Sequence, residues 1–138
     1  MIDIKYSQFF DKPKVIAKVK DGTKSALSKA GAFVRTRAKS LIRKRKKSAK
    51  PGSPPSSHTG LLKKLIFFGY DAAKDSVVVG PKLYRNSTRP TPNVLEFGGT
   101  TRHWKTGKPM VYRKFPFMAP ALDAERENFP DLFANSVK

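Results

Sequence analysis

The chain has 138 residues, no cysteine and a formal net charge of +19, from 29 Lys and Arg against 10 Asp and Glu. That length serves one domain with a sizeable core, the missing thiols exclude disulfides and thiolate metal sites, and so large a charge points to an anionic partner, nucleic acid or the acidic surface of another protein. No run approaches the ~20 apolar residues of a membrane span, and residues 1–10 lack the basic start and long apolar stretch of a secretory signal. The expectation is a protein made and kept in a cytoplasm-like compartment, with no membrane partner.

Residues 1–10 are mildly amphipathic, with Phe9 and Phe10 expected to dock. Asp11 followed by Pro13 reads as a helix start, since Asp caps free amides and Pro is tolerated in a first turn. On a wheel of about 100° per residue, Val15, Ile16, Val19, Ala26, Leu27, Ala30, Phe33, Val34 and Leu41 share one arc of roughly 120°. One long amphipathic helix over residues 13–47 is predicted, with Gly22 as the candidate break. Gly22 and Gly31 each disfavour it by about 1 kcal/mol relative to Ala, so packing must hold it.

Nine of the sixteen residues 35–50 are basic, namely Arg35, Arg37, Lys39, Arg43, Lys44, Arg45, Lys46, Lys47 and Lys50, and none is acidic. The apolar stripe stops at Leu41, with Ile42 beside it, while residues 43–47 put charge all round the axis. This tip is expected to project or fray, and to be the contact for a partner protein or DNA; the plainer alternative is a solvated charge run. Pro51, Gly52, Pro54 and Pro55 then stop any helix. Residues 1–60 hold 16 bases and 3 acids, residues 61–138 hold 13 and 7. The organisation read from this is a helical arm (1–50), a Pro/Ser loop (51–60) and a β-rich body (61–138).

Thr59 is expected to cap a turn through Leu61 and Leu62. Residues 65–70 and 76–80 read as a hairpin. Ile66, Phe67 and Phe68, like Val77, Val78 and Val79, do not alternate with polar residues, so both faces need cover. Helices can take one face, and either the chain itself or a neighbouring subunit the other. Ile66, Phe68, Val77 and Val79 are the candidate subunit contacts. Residues 81–93 read as irregular, anchored by Leu83 and Tyr84. Residues 94–97 form a short apolar element stopped by Gly98 and Gly99, residues 100–109 a polar loop with Arg102, His103, Trp104 and Lys105, and residues 110–115 a third strand. A last helix is expected from Asp123, with Pro120 in its first turn, Asp123, Glu125 and Glu127 suiting its dipole, and Pro130 kinking or ending it.

Signals for catalysis are weak. His58 and His103 have no carboxylate pair near them in sequence, no His-x-x-x-His or Gly-rich phosphate loop occurs, and the acids are scattered. No enzyme, metal site or cofactor is expected. Glu96, the one acid inside an apolar segment, is expected to accept hydrogen bonds from the backbone of residues 98–101.

Thr59-Gly60-Leu61-Leu62, Val79-Gly80, Val94-Leu95-Glu96-Phe97-Gly98 and Pro116-Phe117-Met118-Ala119-Pro120-Ala121-Leu122 form an ordered series. It resembles the head-tail joining and tail-completion (neck) proteins of long-tailed bacteriophages over roughly residues 15–137, departing from them in the proline-rich stretch before Glu96 and in the weight of the basic run. The resemblance implies an α+β fold with a long N-terminal helix and a C-terminal helix packed on a small antiparallel sheet, and Thr59, Gly60, Leu61, Glu96, Phe97, Gly98, Phe117, Pro120 and Ala121 as its structural motif residues. It also implies a non-catalytic virion protein, made in the host cytoplasm, that forms a hexameric or dodecameric ring at the head-tail interface. Its partners would be itself, neighbouring neck, tail-terminator or connector proteins, and DNA passing through the channel. The rival reading is a sequence-independent nucleic-acid-binding protein: a basic arm can neutralise phosphates, while no base-reading fold signature or aromatic stacking pattern accompanies it.

Overall fold

In the computed structural model, which describes residues 11–82, 91–103 and 105–136, the first helix starts where Asp11 and Pro13 predict. Asp11 Oδ1 accepts the Lys14 amide at 3.2 Å and Pro13 sits in the first turn. The helix, α1 (Lys12–Leu41), runs unbroken through Gly22 and Gly31, both buried. Its end differs from the prediction. Ile42 turns extended (φ −81°, ψ 110°) and is fully buried, and β1 (Arg43–Lys44) pairs in parallel with β2 (Ser56–Ser57). Burying an Ile side chain stabilises by about 1.5–3 kcal/mol, whereas continuing the helix would stack like charges three and four residues apart. The basic tip is therefore a loop folded back toward the body.

Two antiparallel hairpins follow. β3 (Ile66–Asp71) pairs with β4 (Ser76–Pro81), matching Phe68 to Val79 and Tyr70 to Val77. The connection is closed by Asp71 Oδ1 accepting the Ala73 amide at 3.0 Å and by the Tyr70 hydroxyl donating to Asp75 Oδ1 at 2.5 Å. That bond raises the Tyr70 pKa. A folded pKa above the unfolded one means the contact stabilises at neutral pH and is lost as alkaline pH ionises the phenol. β5 (Gly99–Arg102) pairs with β6 (Pro109–Tyr112), so the stretch expected to be a polar loop supplies a strand. Gly98 (φ +74°) and Gly99 (φ +138°) make the turn into it, in a region of φ that costs other residues energy.

Short helices complete the α+β architecture: α2 (Leu61–Lys64), α3 (Thr91–Phe97), α4 (Met118–Glu125) and α5 (Phe129–Ala134), the last two joined by a 3₁₀ turn at Arg126–Asn128. The last helix thus starts five residues before Asp123, still with Pro120 in its first turn, and Pro130 opens α5 after the expected break. The expected anchors Leu83 and Tyr84, and Phe9, Phe10 and Trp104, lie outside the described residues.

The core sits under the C-terminal half of α1. Val34, Ala38 and Ile42 meet Ile66, Phe117 and Ala121, with Leu41, Leu62, Val79, Leu95, Met118 and Phe129 around them. Gly31 sets how close α1 comes to the hairpin: a Cβ there would stand 2.6 Å from Val77 Cγ2 and 3.1 Å from Phe68 Cδ2. Gly31→Ala should therefore destabilise. The helix-propensity gain of about 1 kcal/mol is outweighed by overpacking of about 1–3 kcal/mol against Val77, whose β-branched side chain is stiff. A denaturation midpoint above that of the wild type would show that the hairpin yields.

Candidate interaction surfaces

The motif segments meet at Glu96. This residue is 8% exposed, and its Oε2 accepts the amides of Phe117 (2.8 Å) and Met118 (3.1 Å) while its Oε1 accepts that of Ala119 (2.9 Å). α4 has no acid in its first turn and no cap from Phe117. Its free amides and positive dipole end are instead met by a carboxylate from α3. The expected donors, residues 98–101, are replaced by residues 117–119, and Asp123, Glu125 and Glu127 lie too late in the helix to do this work. Phe115 N donates to Leu95 O at 2.6 Å, strapping the two segments together. With both oxygens held by backbone donors, Glu96 serves structure. Thr59 Oγ1 accepts the Leu61 amide at 3.3 Å, with left-handed Gly60 as the N-cap.

The nine basic candidates divide. On α1, Arg35 Nε donates to the Ile66 carbonyl (3.2 Å), Arg37 pairs with buried Glu125 (2.8 Å), and the Lys39 ammonium lies over the Phe67 ring, 5.8 Å from its centre. These three therefore help hold the fold. Glu125 also accepts from Asn128 Nδ2 at 3.0 Å. Lys39 has its pKa lowered by burial first, then by Arg35 and Lys63, a sign of how tightly cations crowd this end of the helix.

The remaining six, Arg43, Lys44, Arg45, Lys46, Lys47 and Lys50, are exposed. Their loop is pinned at several points. Arg45 Nε donates to Ser56 Oγ (2.8 Å), Gly52 N to Lys114 O (2.9 Å), and Ser53 Oγ to Lys50 O (2.6 Å), while Pro55 and Ser57 are buried. The Gly52–Lys114 bond brings Lys114, with Arg113 next to it in sequence, against the loop, and Lys63 of α2 acts electrostatically on Lys39. No Asp or Glu occurs between Asp21 and Asp71 to dilute the charge. The basic surface is thus built from several elements. Sequence reasoning missed Lys63, Arg113 and Lys114, which no local signal groups with the loop.

The four hairpin candidates for subunit contact are placed differently from expectation. Ile66 is fully buried, Phe68 and Val77 abut Gly31, and Val79 packs on the core. All four are on the α1 side, because side chains alternate along a strand. Phe67 and Val78 occupy the other face, 47% and 64% exposed. Beside the hairpin lies an apolar groove of about 380 Å³, whose walls include Leu27, Gly31, Val77, Phe97, Leu122 and Phe133. Phe97 is 78% exposed at its edge.

No family model, curated protein or solved structure matches this chain. Among the described residues, no group of three or more His, Asp or Glu is placed to hold a metal, and no helix is long and apolar enough to cross a membrane. His103 Nδ1 meets Thr106 N at 3.3 Å and Thr106 Oγ1 at 3.1 Å within its own turn, and His58 is exposed.

Proposed function

We propose that this protein is a non-catalytic virion component of a long-tailed bacteriophage, assembling as a ring at the head-tail junction or tail end. The observation that carries this reading is the apolar groove beside α4, open among the described residues of a highly charged chain. Exposed apolar side chains at the groove's edge, Phe97 above all at 78% exposed, favour burial against a partner. Further support comes from Glu96, which bonds the two most distinctive motif segments into one unit. Electron microscopy of the purified protein should show closed rings. A protein monomeric at every concentration, and unassembled in particles, would end this reading.

A second reading, sequence-independent binding of nucleic acid, is favoured by the basic surface built from several elements. Reversing Arg43, Lys44, Arg45, Lys46 and Lys47 to Glu should leave the fold intact, within about 0.5 kcal/mol for each exposed site and about 1 kcal/mol at Arg45, which loses its bond to Ser56 Oγ. If the loop meets an acidic protein ring, the variant should fail to join heads to tails while the wild type holds free DNA weakly at physiological salt. If the loop binds DNA, the wild type should bind any duplex with a logarithmic salt slope of about 0.9 per neutralised phosphate, and the variant should lose several units of it. Normal joining with unchanged salt dependence would leave the loop as solvated surface.

A further inference from the structure

α1 overhangs the body. α5 ends beside its second and third turns, where Gly22 shares a crevice with Leu132, Asn135 and Ser136. Residues 12–17 extend about 9 Å further at 1.5 Å per residue. The apolar stripe continues onto this overhang but changes character. Where α1 is covered it buries mainly small residues, Gly22, Ala26, Ala30, Gly31 and Ala38, together with Val34; on the overhang and at its root it presents Val15, Ile16 and Val19, each 43–45% exposed.

From this ridge and the groove we infer that the protein associates head to tail, the α1 overhang of one copy seating in the apolar groove of the next. The inference rests on the ring reading and names the contact that would build the ring. Three observations select a second copy as the occupant. The groove walls, with Leu27, Phe97, Leu122 and Phe133 among them, are apolar and so suited to the ridge side chains Val15, Ile16 and Val19. Ridge and groove stand on one unbroken helix, α1, so a copy cannot fill its own groove with its own ridge. Charge is also complementary. Residues 12–20 carry four Lys and no acid, whereas residues 118–136 carry Asp123, Glu125, Glu127 and Asp131 against Arg126 alone. Glu125 is taken by Arg37 and Asp123 lies 3.5 Å from Arg126, but all of Asp123, Glu127 and Asp131 are exposed on the segment that supplies one groove wall. Chains of such high positive charge repel one another, and this pairing sets the most acidic stretch against lysines. Because the two surfaces differ, the contact is heterologous and propagates until a ring closes.

Sedimentation velocity on the full chain tests this, with a ridge variant (Ile16→Lys with Val19→Lys) and a groove variant (Leu122→Lys with Phe133→Lys). All four positions are part-exposed, and the fold of each variant is checked by thermal melting. Each alone should weaken association by about thirtyfold or more, as loss of a central apolar contact does. Mixed in equal amounts, they should form a dimer and no larger species, since one intact ridge still meets one intact groove. Monomers in the mixture would overturn head-to-tail docking in favour of a self-paired surface. Assembly that survives in both variants would overturn the contact while leaving the ring reading standing. Assembly that survives the ridge variant but is lost in Phe9→Glu with Phe10→Glu would assign the groove to the first ten residues instead. A wild type monomeric at all concentrations would remove both the ring and this contact.

Discussion

Phe117→Ala should lower the unfolding free energy by about 3–5 kcal/mol, the usual loss when a buried Phe is cut to Ala. Phe117 is 1% exposed, in the cluster of Val34, Ala38, Ile42, Ile66 and Ala121 that joins α1, β3 and α4. Since a domain's whole stability is about 5–15 kcal/mol, this one change should bring the protein near its folding threshold. Urea denaturation should show a much lower midpoint with an unchanged slope, and association should fail only because the chain unfolds. A variant that melts like the wild type would mean that Phe117 does not join these elements.

Glu96→Ala should cost about 2–4 kcal/mol, because it strands the amides of Phe117, Met118 and Ala119 at the start of α4, and an unsatisfied buried donor costs about 1–3 kcal/mol. Water can reach the part-buried Met118 and Ala119 amides, which keeps the sum below three full penalties. Glu96→Gln keeps an acceptor but loses the charge that suits a helix N-terminus, and should cost about 1–2 kcal/mol. The order wild type, Gln, Ala in denaturation midpoint is the signature of a cap. Because Glu96 bonds the Phe117 amide directly, Glu96→Ala and Phe117→Ala should be non-additive. Equal midpoints for wild type and Ala would mean that α4 is capped by something else.

What could be read in advance, and what could not, follows the range of each interaction. The start of α1 depends on Asp11, Pro13 and Lys14 within four residues, the β3–β4 hairpin on two apolar runs with a short connection, and the break before α5 on Pro130. All are local and visible as residue types. The end of α1 depends on the burial of Ile42 against Ile66 and Phe117, and on pairing of Arg43 and Lys44 with Ser56 and Ser57. Helical periodicity has no access to these. Glu96 was recognisable as a carboxylate needing donors, but the nearest amides in sequence were the wrong ones. Its partners lie 21 to 23 residues on. The same holds for the hairpin faces: an unbroken apolar run says that both sides need cover, and only the position of Gly31 shows that Phe68 and Val77 pack against the apolar side of α1 while Phe67 meets the Lys39 ammonium and Val78 stays exposed.

The pairing of Arg37 with Glu125, 88 residues apart, has a consequence for how the chain acquires its structure. The hairpin can cover part of the α1 stripe, through Ile66, Phe68 and Val77, but Phe117 and Ala121 complete the cluster only when α4 has been synthesised, and closing so long a loop carries an entropic cost that grows with the logarithm of its length. Folding should therefore be late and governed by non-local contacts rather than by growth of the helix. On the ribosome α1 emerges before α4 and α5, with the part of its stripe that they cover bare until they follow. A chain stalled before Phe117 should be caught by chaperones or aggregate through that stripe, and release of the last two helices should be the event that makes it soluble.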